Sequence, residues 1–353
     1  MQKYTCKTCE AELYWDSSAG ALKCEYCDST FDPSEFNDVD VSKQTGAAAE
    51  EYHDQTTDDS DASELVVYKC TECGAEIVTA KGTVATTCAY CNRAITMTNK
   101  MTGNFKPKLL IPFNINKKQA KEIFKQYVKK SFLTPKEFQD DKLLTQMKGL
   151  YVPFWLHTFK ENADAQLICE NTSSRRSGDD KVITHHEYQV DMKCNGTFLK
   201  LPTDALANLD NTLMDNIEPF DYANLKDFNP AYMAGFYAEQ YNEDAEKTFP
   251  RAHERAIQAM KKEILKEVSE YSRRDIRYFQ DDIRQYESEY AMLPIWILNA
   301  EYQNHTYTFA INGDTGKITG KIPLSVPKLI SIAGGAFIAT QILGIIFRLL
   351  GVM

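Results

Sequence analysis

The sequence predicts an α+β protein that carries two small four-cysteine zinc ribbons and one C-terminal transmembrane helix. Three observations predict it. A Cys-x2-Cys-x14-Cys-x2-Cys pattern occurs twice, the central region mixes helix-period with strand-like segments, and an uncharged apolar run lies near the C-terminus. The expected organisation is a ribbon at 1–31, an acidic flexible linker at 32–65, a second ribbon at 66–98, an α+β domain with antiparallel sheet at 99–323, and a membrane anchor at 324–353.

Charge is concentrated in one place. Of 50 Asp and Glu, 11 lie in residues 32–64, against the single Lys43. The rest of the chain is balanced, with 39 residues of each sign. General affinity for nucleic acid rests on clustered Lys and Arg that neutralise phosphates, so this balance disfavours it.

Eight of the ten cysteines form four Cys-x2-Cys pairs: Cys6 with Cys9, Cys24 with Cys27, Cys70 with Cys73, and Cys88 with Cys91. A shift of 64 positions carries the first four cysteines onto the second four, and carries Tyr4, Ala11, Glu12, Ala21 and Tyr26 onto Tyr68, Ala75, Glu76, Ala85 and Tyr90. One module is therefore used twice. Two residues between cysteines let both thiolates of a tight turn converge on one ion, and fourteen suffice for a hairpin that brings the second turn opposite the first. Four sulfurs then surround Zn²⁺ at about 2.3 Å. Segments 12–15 and 75–78 read as the hairpin strands. A module of about 30 residues buries too little surface to fold alone, so the metal supplies the missing free energy. The start, MQKYTCKTCE, has no basic-then-apolar leader, which favours reduced thiolates on a metal over a disulfide framework. Two zinc ions per chain are expected. Four cysteines complete the coordination sphere and leave no place for a catalytic water, so the expected role is structural. In the first module Glu10 follows Cys9, where Gly74 follows Cys73 in the second; glycine would relax that turn, so the first site is expected to be the looser.

The segment between the modules is rich in Asp, Glu, Ser, Thr and Ala and reads as a flexible spacer. Beyond residue 105, Asn116 can cap a helix over 117–130 with Ala120, Ile123, Phe124, Tyr127 and Val128 on one face and five lysines on the other. A second helical pattern runs over 250–270 with Ile257, Met260, Ile264 and Val268 inward. Trp155 and Trp296, each two residues after a proline, read as core anchors at strand starts. Residues 312–316, Asn-Gly-Asp-Thr-Gly, read as a hairpin turn and lack the spacing of a phosphate loop.

Cys169, His185, His186 and Cys194 are the candidates for a second kind of site, as metal ligands or as nucleophile and base. Adjacent histidines on a strand point to opposite faces, and no set of roles can be assembled from the four. No catalytic residue is therefore assigned, and the chain is not expected to be an enzyme.

Residues 329–347 hold no charge, and nineteen residues at about 1.5 Å each make roughly 28 Å, near the thickness of a hydrocarbon core. Lys317, Lys321 and Lys328 precede the run, so a single pass with the N-terminal domains in the cytoplasm is expected, inserted as a tail anchor. Ser331, Gly335 and Ala339 fall at four-residue spacing, a face on which another membrane helix could pack.

The tandem ribbons with closing Cys-x-Tyr-Cys, GLYVPFW at 149–155, IEPFDYANLKDFNPAYMAGFYAEQY at 217–241, LPIW at 293–296 and NGDTGKITG at 312–320 cover nearly the whole chain. Together they resemble a bacterial family of TFIIB-type zinc-ribbon membrane proteins, some of them encoded near phage-shock-protein-A and flotillin-like (SPFH) proteins. Members are often labelled primosomal or helicase-like; this chain has no Walker A or helicase motif, and the label is not carried over. The resemblance implies that the eight ribbon cysteines are zinc ligands. It also implies a membrane adaptor or scaffold that localises a flotillin-like or phage-shock-protein-A-like partner, in the setting of envelope stress. The competing expectation is a zinc-ribbon nucleic-acid-binding regulator, an accessory of transcription or replication. Charge disfavours it: residues 1–31 carry three Lys against five acidic residues.

Overall fold

The computed structural model of the chain describes residues 4–36, 65–69, 76–80, 83–87, 94–96, 106–178 and 180–349. In the first module, Leu13, Trp15, Leu22 and Cys24 alternate with half-buried residues, the period-two pattern of strands with one covered face. They build β1 (Leu13–Asp16) and β2 (Ala21–Cys24), and β3 (Thr30–Phe31) completes a small antiparallel sheet. A 3-10 turn, Pro33–Phe36, follows inside the segment expected to be linker, and Phe36 packs edge-on against Tyr4. The second module contributes β4 (Leu65–Lys69), β5 (Glu76–Ala80), β6 (Thr83–Thr87) and β7 (Ala94–Thr96).

The body begins with β8 (Leu109–Leu110) and α1 (Lys117–Lys129). Asn116 caps α1 in a capping box with Gln119, and Ala120, Phe124 and Val128 form the buried stripe. After α2 (Asp141–Thr145) come two exceptionally long strands, β9 (Lys148–Ser177) and β10 (Asp180–Asp204). Then follow α3 (Asn211–Asn216), β11 (Lys226–Asp227), β12 (Tyr237–Glu239), α4 (Ala245–Glu267), β13 (Arg273–Tyr302), β14 (His305–Asn312), β15 (Ile318–Gly320) and α5 (Val326–Leu349).

One ten-stranded sheet organises the body. β9 pairs antiparallel with β13 on one side and with β10 on the other, over almost its whole length. At about 3.3 Å per residue, thirty residues reach roughly 100 Å, so the three strands leave the body as an arm. Register shifts at Phe198/Leu201, Ile276/Tyr278 and Arg284/Tyr286 bend it, with Lys200 and Gln285 at positive φ. The helix α4 lies along one face of the arm and buries Ala252, Ala256, Met260 and Ile264 against Phe159, Ala165, Leu167 and their neighbours.

The expected fold class is corrected in two respects. Among the described residues the fold is mostly β, 43% strand against 29% helix, and its large sheet is mixed rather than antiparallel. The short strands β8 and β12 run parallel to β13 and β9. They reach their places through long connections, which a parallel pairing requires and a hairpin-by-hairpin reading does not anticipate. The second module also joins this sheet, since β6 pairs with β12 and buries Val84 and Ala85 in the main core.

The expected transmembrane helix, tail anchor and single-pass membrane location are corrected as well: among the described residues, no helix is long and apolar enough to cross a membrane. The base of α5 is tied to the body, where Lys328 Nζ donates to Thr134 O at 2.6 Å. Ser331, Gly335 and Ala339 lie exposed on this helix, and a Cβ added at Gly335 would meet nothing within 4 Å.

Candidate metal centre

Two tight turns present the first cysteines. Cys6 O accepts from Glu10 N at 2.8 Å and Cys6 N donates to Ala11 O at 2.7 Å; Cys24 O accepts from Asp28 N and Cys24 N donates to Ser29 O, each at 2.9 Å. The residue after each turn's second cysteine, Glu10 or Asp28, takes a left-handed conformation, with φ of 61° and 58°. The backbone thus demands at Glu10 what a glycine would give freely.

β1 and β2 hold the two turns face to face. Cys6 Sγ stands 3.5 Å from Cys27 Sγ, and Cys9 Sγ stands 3.5 Å from Cys24 Sγ and 3.4 Å from Cys27 Sγ. All four sulfurs lie within 4.8 Å of one another, and none is in a disulfide. A tetrahedron with ligands at 2.3 Å has edges of about 3.8 Å, so the four thiols fit one metal ion and can hold it. Cys6 and Cys24 are buried, while Cys9 and Cys27 are partly open. The Ser29 hydroxyl and amide, with smaller help from Cys6 and Cys9, hold the Cys27 thiol down to about 6. Cys9 is pushed up to about 12: the Ala11 amide pulls it down, and burial with the Cys27, Cys24 and Cys6 thiols more than offsets that pull. A cation among the sulfurs favours the thiolate at every one of them.

The module is seated on the body. The Trp15 indole N–H donates to Phe113 O at 3.0 Å, its ring meets Tyr232 edge-on at 4.8 Å, and its backbone N–H donates to Ala234 O at 3.2 Å. Asn229 Nδ2 donates to Pro33 O at 2.9 Å, and Asn116 Nδ2 donates to Ser18 Oγ at 3.0 Å. Gly235 has φ of 89°, and a Cβ there would come within 3.0 Å of the Tyr14 ring, so glycine meets both a backbone and a space requirement. Tyr4, Cys6, Leu13, Trp15, Leu22 and Cys24 belong to the same buried cluster as Phe113, Phe124, Tyr151 and Trp296. The described lysines of the module face carboxylates: Lys7 pairs with Glu35 at 2.7 Å and Lys23 with Asp28 at 3.1 Å.

The chain is similar to a protein described as uncharacterized protein YdjG, of Bacillus subtilis (strain 168), with 32% identity over 256 residues, 71% of this chain and 75% of that protein. The chain belongs to the YdjG family. No family model matches it, and no solved structure matches it. The segments at 217–241 and 312–320 meet in space. Asp314 accepts from Asn224 Nδ2 at 2.8 Å and Asp221 N at 2.7 Å, and also from Asn114 Nδ2 at 2.6 Å.

Cys70, Cys73, Cys88 and Cys91 lie outside the described residues. Cys169 and Cys194 are held apart. Cys169 pairs across β9 and β10 with Tyr188, six rows from the pairing of Cys194 with Ala163, or roughly 20 Å along the strands. Cys169 is buried against Leu167, Ile264 and Val268; His185 and His186 are exposed, and His185 pairs with Glu170. The four residues form no common site.

A group that the sequence reading missed lies under α4. Glu161 of β9, His253 of α4 and Asp281 of β13 bring one ligand atom each within 4.8 Å of the others. Beside them His157 is fully buried, with Nε2 2.9 Å from Thr203 Oγ1 and 3.2 Å from Thr248 Oγ1, and Nδ1 3.2 Å from the Tyr286 hydroxyl. Burial, with the Arg251 charge as the smaller cause, lowers His157 to about 4. One signal could have found the group. In β9 the inward positions run Phe159, Glu161, Ala163, Ala165, Leu167, and Glu161 breaks that apolar phase.

Proposed function

We propose that the protein is a non-enzymatic adaptor. Each cysteine module holds a zinc ion, two per chain, and the body presents a surface to a partner protein. The observation that carries the reading is the four-thiol set closed around one point and seated on the main core. Four cysteines complete a tetrahedral sphere, so the ion stabilises the module's shape rather than presenting a reactive water. The charge balance of residues 1–31, three Lys against five acidic residues, favours a protein over a nucleic-acid partner. The partner, following the resemblance, is a flotillin-like or phage-shock-protein-A-like protein.

The test has two parts. Elemental analysis of the full chain should return two zinc ions held by the cysteine modules; iron in place of that zinc, or one zinc with intact protein, refutes the assignment. The purified chain should bind the purified flotillin-like or phage-shock-protein-A-like protein of the same genome and lose that binding on chelation. A gel shift with duplex DNA should give association no tighter than about 10⁻⁴ to 10⁻⁶ M at physiological salt. A salt-sensitive nanomolar complex would replace the adaptor with a nucleic-acid-binding regulator.

A further inference from the structure

Glu161 is fully buried, and neither of its carboxylate oxygens has a hydrogen-bond partner. A carboxylate removed from water is stable only beside a compensating positive charge or proton. His253 Nε2 stands 3.3 Å from its Oε1, and the same nitrogen stands 2.9 Å from Asp281 Oδ2. Two carboxylates thus converge on one imidazole nitrogen, and the oxygens of Glu161 point into the space between the three residues.

Three separate elements supply these groups. Glu161 and Asp281 sit on adjacent strands on the face under α4; Glu161 pairs with Ile283 and Asp281 with Ala163, so the two acids are diagonal neighbours. His253 descends from α4, its ring parallel to that of Phe249. Gly196 lies across from Glu161 on β10 and leaves the third strand without a side chain there. The His253 and Asp281 side chains are 23% and 25% exposed, which gives the cluster a route to solvent.

We propose that Glu161, His253 and Asp281 form a binding site for a divalent first-row metal cation, separate from the cysteine centre. One imidazole and two carboxylates are ligands of intermediate to hard character, suited to Mn²⁺, Fe²⁺ or Zn²⁺ and not selective for the softer ions that thiolates prefer. The partial exposure of His253 and Asp281 lets water reach the remaining coordination positions. The ion fixes α4 to the two long strands of the arm at the point where the apolar contact is interrupted.

Mn²⁺ is the probe, because four thiolates favour zinc and leave Mn²⁺ to the oxygen and nitrogen ligands. The full-length chain, shown by elemental analysis to hold two zinc ions and no more, is titrated with Mn²⁺, and free ion is counted by electron paramagnetic resonance. The expected result is one Mn²⁺ bound per chain. Glu161→Gln and His253→Ala should weaken it at least about tenfold, and Asp282→Asn, an exposed neighbour, should leave it unchanged. A wild type that leaves all Mn²⁺ free overturns the proposal. Binding that persists unchanged in both ligand variants belongs to the acidic residues 32–64 and overturns it equally. If Glu161→Gln fails to fold, Asp281→Asn, at a half-open position, takes its place in the comparison.

Discussion

Replacing Trp15 with alanine should destabilise the cysteine module and the body together. Trp15 is 9% exposed, donates from its indole to Phe113 O at 3.0 Å and meets Tyr232 at 4.8 Å. Truncating a buried Trp to Ala costs about 3–5 kcal/mol, which includes the cavity left behind. The orphaned Phe113 carbonyl lies within that range, at about 1 kcal/mol. A typical domain has about 5–15 kcal/mol in total, so the variant should lose a large part of its stability. Trp15→Phe, which keeps a ring and removes the donor, should cost about 1–2 kcal/mol. The assay is urea unfolding followed by two probes, far-ultraviolet circular dichroism for the long sheet and a colorimetric indicator for metal release. Both midpoints should fall together. If metal release shifts while the sheet transition stays within about 0.5 kcal/mol of wild type, the module hangs from the body without sharing its core, and the reasoning is wrong.

Three further outcomes follow from local geometry. Cys9→Ser should lower the metal content by one ion per chain and leave the remaining cysteines reactive to alkylation; unchanged metal content would rule out Cys9 as a ligand. Glu10→Gly should raise stability toward urea by about 1 kcal/mol, because φ of 61° suits glycine and strains glutamate; a loss of stability would show that the Glu10 side chain holds the turn. His157 has its ordinary value of 6.5 when unfolded and about 4 when folded, so the folded chain binds fewer protons between those values. Stability should therefore fall as pH drops from 6.5 toward 4, by up to about 3 kcal/mol from this residue, and His157→Gln should abolish that portion; the difference between the two pH series isolates it.

The cysteine centre was legible because its ligands lie within 22 residues and their spacing is itself the geometry. The helix α1 was legible for a related reason: cap, period and apolar stripe are all local. The long arm was not. Strands average five or six residues, and a stretch of thirty with a charge in its inward phase does not present itself as one strand. The parallel strands β8 and β12 have two and three residues and no pattern of their own; only the pairing with β13 and β9 creates them. The apolar run near the C-terminus shows a different limit. Its composition resembles a bilayer span, yet among the described residues no helix is long and apolar enough to cross a membrane.

The position of the polar residues within the arm carries a physical argument of its own. A three-stranded sheet in water needs one face covered, and α4 covers it with alanines at 252 and 256, which let the helix lie close to the strands. Larger apolar residues at 157 and 161 would add burial at about 25 cal/mol per Å² and would need no partners. Instead, this seam holds a histidine with two threonine partners and a carboxylate with no hydrogen-bond partner. A buried unpaired carboxylate is more costly than almost any apolar replacement. The cost falls when Glu161 takes up a proton, which its burial favours, or when a metal ion shared with His253 and Asp281 enters the seam. In both cases the contact between α4 and the arm depends on what occupies that point. The arm is therefore held to the body by a contact whose strength varies with proton or metal concentration, whereas the apolar contact around Trp15 does not vary in this way.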